Sequence, residues 1–115
     1  MILIADDDPR IREAAAGALS AQGHCVLLAA DGAEALEMCH AQPDIRLVIT
    51  DVVMPRLKGP DFVAQVTRFR PDLRILYISG SIGDTPPSAL GDYPFLAKPF
   101  TASKLTQMVG EALAG

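Results

Sequence analysis

The sequence predicts an α/β fold, a doubly wound parallel sheet of five strands interleaved with five helices, the fourth short or irregular. Two observations carry this. Short apolar, β-branched runs alternate along the chain with stretches of helical periodicity, the pattern of parallel strands joined by helical crossovers. Several of those runs are apolar at nearly every position, which suits a sheet covered on both faces. At 115 residues the chain has length for one domain and is short for two, so residues 1–115 are read as one unit with its own core.

Taken in order, the strands fall at about Met1–Ala5, Cys25–Ala29, Leu47–Thr50, Ile75–Ser79 and Phe95–Ala97. Asp8 followed by Pro9 is an N-cap with proline at the first helical position. Ile11, Ala14, Ala15, Ala18 and Leu19 then form an i, i+3, i+4, i+7, i+8 stripe, and Gly23 is placed to stop that helix. Asp31 and Gly32 open a second helix through about Ala41. Pro60 starts a third, with Phe62, Val63, Val66 and Phe69 as its inner face. The fourth crossover, from Gly83 through Pro86-Pro87 to Gly91-Asp92, has room for only a turn or two of helix. Thr101 caps the last helix, whose stripe is Leu105, Met108, Val109, Ala112 and Leu113.

Composition narrows the function. A net charge of −4 and a pI near 4.9 argue against broad binding to nucleic acid or anionic membranes. No apolar stretch reaches membrane-spanning length, and the N-terminal run lacks the basic lead of a signal peptide. Cys25 and Cys39 show no metal or redox spacing and read as buried free thiols in a reducing compartment. The expected location is cytoplasmic. His24 and His40 have no ligand pattern around them and read as surface or partly satisfied side chains.

The ends of the strands hold the chemistry. Asp6, Asp7 and Asp8 follow the first run directly, and Asp51 ends the third. Carboxylates gathered at the exits of buried strands resist ionisation unless a positive partner collects them, and a hard divalent cation with oxygen ligands does so. Ser79 ends the fourth strand and Lys98 follows the fifth. In a parallel sheet all of these reach one edge, the carboxyl edge where such folds bind ligands.

On these residues the chain resembles the receiver domains of two-component response regulators, the CheY-like family, from end to end. The resemblance rests on Asp6-Asp7-Asp8-Pro9, on Thr50-Asp51-Val52-Val53-Met54-Pro55 with Gly59, on Ile78-Ser79-Gly80 and on Lys98-Pro99-Phe100. It implies a flavodoxin-like strand order 2-1-3-4-5 and a phosphorelay function rather than that of an ordinary enzyme: a domain that catalyses its own phosphorylation and dephosphorylation. By the same resemblance Asp51 accepts a phosphoryl group from phosphohistidine. Mg²⁺ is held by Asp7 and Asp51 directly, by Asp6 through water and by the Val53 carbonyl. Lys98 pairs with the phosphoryl oxygens, Ser79 hydrogen-bonds the new group, and Phe95 occupies an aromatic switch position. The Lys98–Pro99 bond is expected cis, Gly80 is expected to leave the phosphoryl group sterically open, and Gly59 is expected at a backbone angle few residues tolerate. Lys58 stands where the family often has Asp.

The implied partner is a sensor histidine kinase or a histidine phosphotransfer protein, docking along Arg10, Ile11 and Ala14 and on Pro99-Phe100. Acetyl phosphate is a further possible donor, and a monomer or weak dimer is expected. The wording Arg74–Gly80 and Phe95–Phe100 most resembles receivers of hybrid histidine kinases. Two other readings stand beside this one. The first is a receiver-like module that no longer signals by phosphate, whose mark would be a missing Asp51 or Lys98. The second is a hydrolase of the haloacid dehalogenase type, which places its nucleophile after the first strand in an Asp-x-Asp motif.

Overall fold

The computed structural model describes residues 1–80 and 86–114. Strands β1 (Ile2–Ala5), β2 (Val26–Ala29), β3 (Leu47–Asp51), β4 (Arg74–Ser79) and β5 (Phe95–Ala97) form one sheet. Its order is β2-β1-β3-β4-β5, and every neighbouring pair is parallel. Four α-helices are described: α1 (Pro9–Ala21), α2 (Gly32–Ala41), α3 (Gly59–Phe69) and α4 (Ala102–Ala114).

Alternation along the strands sorts the core into two layers. Leu3, Ala5, Val48, Ile75 and Tyr77 pack with Ala35 and Cys39 of α2 and with Phe62, Val63 and Val66 of α3. Ile2, Ile4, Leu47, Ile49, Leu76 and Ile78 pack on the other face with Ala15 and Leu19 of α1 and with Leu105 and Val109 of α4. β1 and β3 are buried along their whole length, and β4 in all but its first residue. Covered on both faces, such strands have no solvent side to display, hence their apolar runs.

The caps are as read. Asp8 accepts a hydrogen bond from Arg10 N at the head of α1, with Pro9 as first residue. At the other end Gly23 takes φ +88°, and His24 N–H closes back on the Leu19 carbonyl, an ending that favours glycine. Asp31 accepts from Glu34 N, while the Glu34 carboxylate reaches back to Ala30 N, a reciprocal cap for α2. Thr101 Oγ1 accepts from Lys104 N.

Several expectations are corrected. The fourth helical element is short, as expected, but in its described part it is a single 3₁₀ turn, Pro87–Leu90, so that four α-helices stand where five helices were expected. The expected Gly83–Asp92 segment falls partly outside the described residues. Phe69 is not on the inner face of α3 but 38% exposed. It lies on the last turn, beyond the buried stripe, and stacks on the His40 ring of α2 with centroids 3.9 Å apart. Ala14 is exposed, on the flank of the stripe centred on buried Ala15 and Leu19. Cys25 is exposed and only Cys39 is buried, because Cys25 precedes the edge strand β2 rather than lying within a covered one.

Candidate functional site

Parallel pairing delivers the chemistry to one edge. Ala5 pairs with Thr50, so Asp6 and Asp51 leave neighbouring strands side by side. Ser79 pairs with Ala97, and Lys98 N–H donates to the Ser79 carbonyl at 3.0 Å. This anchors the lysine backbone at the end of β4.

The Lys98 ammonium bridges two carboxylates, donating to Asp6 Oδ2 at 2.7 Å and to Asp51 Oδ2 at 3.0 Å. Asp6 is fully buried and Asp51 nearly so, so this is an ion triad largely removed from water. The remaining oxygens are held by main chain. Asp51 Oδ1 accepts from Val52 N at 2.7 Å and more loosely from Val53 N, and Asp6 Oδ1 accepts from Asp8 N at 2.9 Å. Carboxylates fixed in this way stand ready in one orientation.

The electrostatics follow from burial. Burial pushes the Asp51 carboxyl above its ordinary value, the Lys98 hydrogen bond pulls it back, and the neighbouring Asp6 charge pushes it up again, with a net rise. For Lys98 burial alone would favour the neutral amine, yet its hydrogen bonds to Asp6 and Asp51 outweigh that and hold it as an ammonium. Half-buried Asp8 is lowered by its hydrogen bonds with Arg10. Asp8 thus belongs to the helix cap, as the sequence indicated.

Asp6, Asp7 and Asp51 each offer a carboxylate oxygen, and these lie within 4.8 Å of one another. Asp7 is exposed, whereas its two companions are buried. A set of hard oxygens open to water on one side matches magnesium, which binds through few carboxylates and keeps several waters. Val53, in the loop directly after Asp51, is 43% exposed.

The remaining expected residues are placed as follows. Ser79 is buried at the end of β4. Phe95 lies on β5, whose burial alternates exposed, buried, exposed around Leu96, and is itself 38% exposed. The Lys98–Pro99 peptide is cis. A Cβ added at Gly80 would make only ordinary contact with Lys98, 3.7 Å away.

Gly59 corrects an expectation. Its φ is not in the left-handed region; glycine is needed there because a Cβ would lie 2.2 Å from the Asp51 carbonyl oxygen. The left-handed residue of this loop is Arg56, at φ +68°. Arg56 Nη1 reaches Asp31 Oδ2 at 3.2 Å, and a Cβ on Gly32 would meet the Leu57 carbonyl at 2.1 Å. The β3–α3 loop is thereby docked on the head of α2.

Arg12 also escaped the sequence reading. Its Nη1 donates to the Asp6 carbonyl at 2.7 Å, bracing the β1 exit from α1. Nothing in its spacing separates it from an ordinary surface arginine.

Comparison with known proteins agrees with this geometry. The family profile for the response regulator receiver domain matches residues 2–110. The sensor kinase CckA of Brucella abortus is 33% identical over 97% of the chain, which covers 12% of that protein. The transcriptional regulator NtrC of a Bradyrhizobium species is 39% identical over 98% of the chain, which covers 24% of it. The chain therefore spans a quarter or less of these curated relatives. The crystal structure of the receiver domain of Brucella abortus NtrX superposes with a TM-score of 0.88 at 35% identity, covering 99% of this chain and 98% of that one.

Proposed function

Because this chain belongs to the response regulator receiver domain family, the phosphorelay components of two-component systems, we propose that Asp51 is its phosphoryl acceptor. Receiver domains are signalling domains rather than ordinary enzymes, and they take phosphoryl groups that originate on histidine kinases. The observation that carries the assignment is the convergence of Asp6, Asp7 and Asp51 with the Lys98 ammonium.

In the transfer, an Asp51 carboxylate oxygen attacks phosphorus. A P–O bond forms as the P–N bond to the donor imidazole breaks, and the bonding electrons leave with that ring, which takes up a proton. Main-chain N–H groups of Val52 and Val53 hold Asp51 Oδ1, leaving Oδ2 on the Lys98 side to react. Receiver domains bind Mg²⁺ at an acidic pocket, which here would be Asp6, Asp7, Asp51 and the Val53 carbonyl, and the ion supplies positive charge against that building on the transferred oxygens. Lys98 contributes a second positive group on the same side. Ser79 hydrogen-bonds the incoming phosphoryl group, and Phe95 is the ring whose exposed and packed positions distinguish the two signalling states.

The acyl phosphate adds about two negative charges and shifts the balance between two packings of β4 and β5 rather than making a new fold. A histidine kinase or phosphotransfer protein docks along Arg10, Ile11 and Ala14 and on Pro99-Phe100. The setting is cytoplasmic and the domain a monomer or weak dimer. Among the described residues no helix is long and apolar enough to cross a membrane. Likeness to a stretch of sensor kinase CckA supports relay within a hybrid kinase system.

The test is intact mass spectrometry after incubation with Mg²⁺ and acetyl phosphate, then with a phosphorylated phosphotransfer protein. One base-labile phosphoryl adduct should form, and Asp51→Asn should lose it. Absence of an adduct with every donor, or its survival in Asp51→Asn, overturns the assignment.

A further inference from the structure

The opposite edge of the sheet, where the strands begin, carries a second concave feature. A cavity of about 500 Å³ opens there between Ile2, Leu113, His24 and two arginines, Arg46 and Arg74. The arginines are neighbours by backbone pairing. Arg46 immediately precedes β3, Arg74 begins β4, and Arg74 N–H donates to the Arg46 carbonyl at 3.0 Å. Two arginines are thus anchored by their backbones at the start of neighbouring strands, and both line the cavity.

Neither guanidinium has a counter-ion among the described residues. Among the described residues no carboxylate lies within ion-pairing distance of Arg46 or Arg74, and no side-chain hydrogen bond engages either one. One acid, Asp72, also lines the cavity, but its carboxylate is 3.7 Å from Arg70 Nε. The chain as a whole is acidic, at −4, yet two arginines and a single acid line this cavity. Two positive charges without a carboxylate partner among the described residues, beside an apolar wall, concentrate anions. The planar forks of two arginines suit oxyanions with paired oxygens, namely phosphates and carboxylates.

We propose that this cavity binds a small polyanion bearing at least two phosphate or carboxylate groups, gripped by Arg46 and Arg74, with Ile2 and Leu113 forming the apolar wall. The site is separate from the carboxyl-edge acids and does not depend on the role assigned to Asp51.

The experiment is an ¹⁵N-detected NMR titration of the 115-residue chain with sodium pyrophosphate and, separately, sodium citrate, in Mg²⁺-free buffer of low ionic strength. The amides of His24, Arg46, Leu47, Arg74 and Ile75 should shift saturably while those of Asp6, Asp51 and Lys98 stay in place. Pyrophosphate binding more tightly would assign a phosphate ligand, and citrate binding more tightly a carboxylate one. Arg46→Gln and Arg74→Gln, made singly at these exposed positions, should each weaken binding by about tenfold, the scale of one lost charge-assisted contact. Physiological salt should weaken it several-fold without abolishing it. The proposal is overturned if shifts do not saturate, if they spread over all basic surface residues, if they centre on the Asp51 edge, or if both variants bind as the native chain does.

Discussion

Removing the Lys98 ammonium leaves Asp6 and Asp51, both buried, facing each other with no counter-charge. Breaking a buried pair from one side usually costs a few kcal/mol. Lys98→Met should therefore lower unfolding stability by about 3 kcal/mol in Mg²⁺-free urea titrations, and added Mg²⁺ should restore part of the loss. Asp51 has its own pH signature. Its folded pKa is raised above the ordinary 3.8, so between the unfolded and folded values the native state holds the extra proton. Stability should fall as pH rises through that window, with the penalty complete above the folded value. Asp51→Asn should remove that contribution, and the difference between the two chains' stability–pH curves, without Mg²⁺, measures it. The cysteines differ as sharply. Cys39 is buried, with its thiol pushed up to about 11 by burial, whereas Cys25 is exposed. Iodoacetamide at neutral pH should alkylate Cys25 and spare Cys39 until the chain unfolds.

At the scale of elements, the β3–α3 loop is where small residues matter most. Gly59→Ala would drive a methyl group into the Asp51 carbonyl. It should cost about 2 kcal/mol by calorimetry, in the range of other overpacking substitutions, and should slow phosphorylation by shifting Asp51, the proposed acceptor. This loop also shows what a sequence can and cannot reveal. Strand positions were legible because burial on both faces writes itself as unbroken apolar runs, and helix starts because Asp8, Asp31 and Thr101 each satisfy an orphan N–H. Asp6, Asp7, Asp51, Ser79 and Lys98 were legible as a group because parallel strands must deliver their ends to one edge. Gly59 was read correctly as needed but for the wrong cause, since a glycine required for close approach looks the same in sequence as one required for φ. Arg56 in the left-handed region, Arg12 on the Asp6 carbonyl and the exposure of Phe69 depend on tertiary neighbours that no local pattern encodes.

Across the whole molecule, order should grade outward from the middle of the sheet. β1, β3 and β4 are buried nearly throughout, whereas edge strands β2 and β5 are each partly exposed. Native-state hydrogen exchange should be slowest in Ile2–Ala5, Leu47–Asp51 and Ile75–Ser79, open by global unfolding, and be faster in β2 and β5. Uniform protection across all five strands would contradict this gradient. The switch proposed for Phe95 would sit on one of the less buried strands, where a change of population is easiest to produce.

The ammonium shared by Asp6 and Asp51 has one more consequence. Any cation approaching these acids meets groups already spoken for, so its apparent affinity is a difference between two attractions rather than the strength of either. At the proposed metal site the lysine would be a tethered rival, competing with the ion for the same two carboxylates.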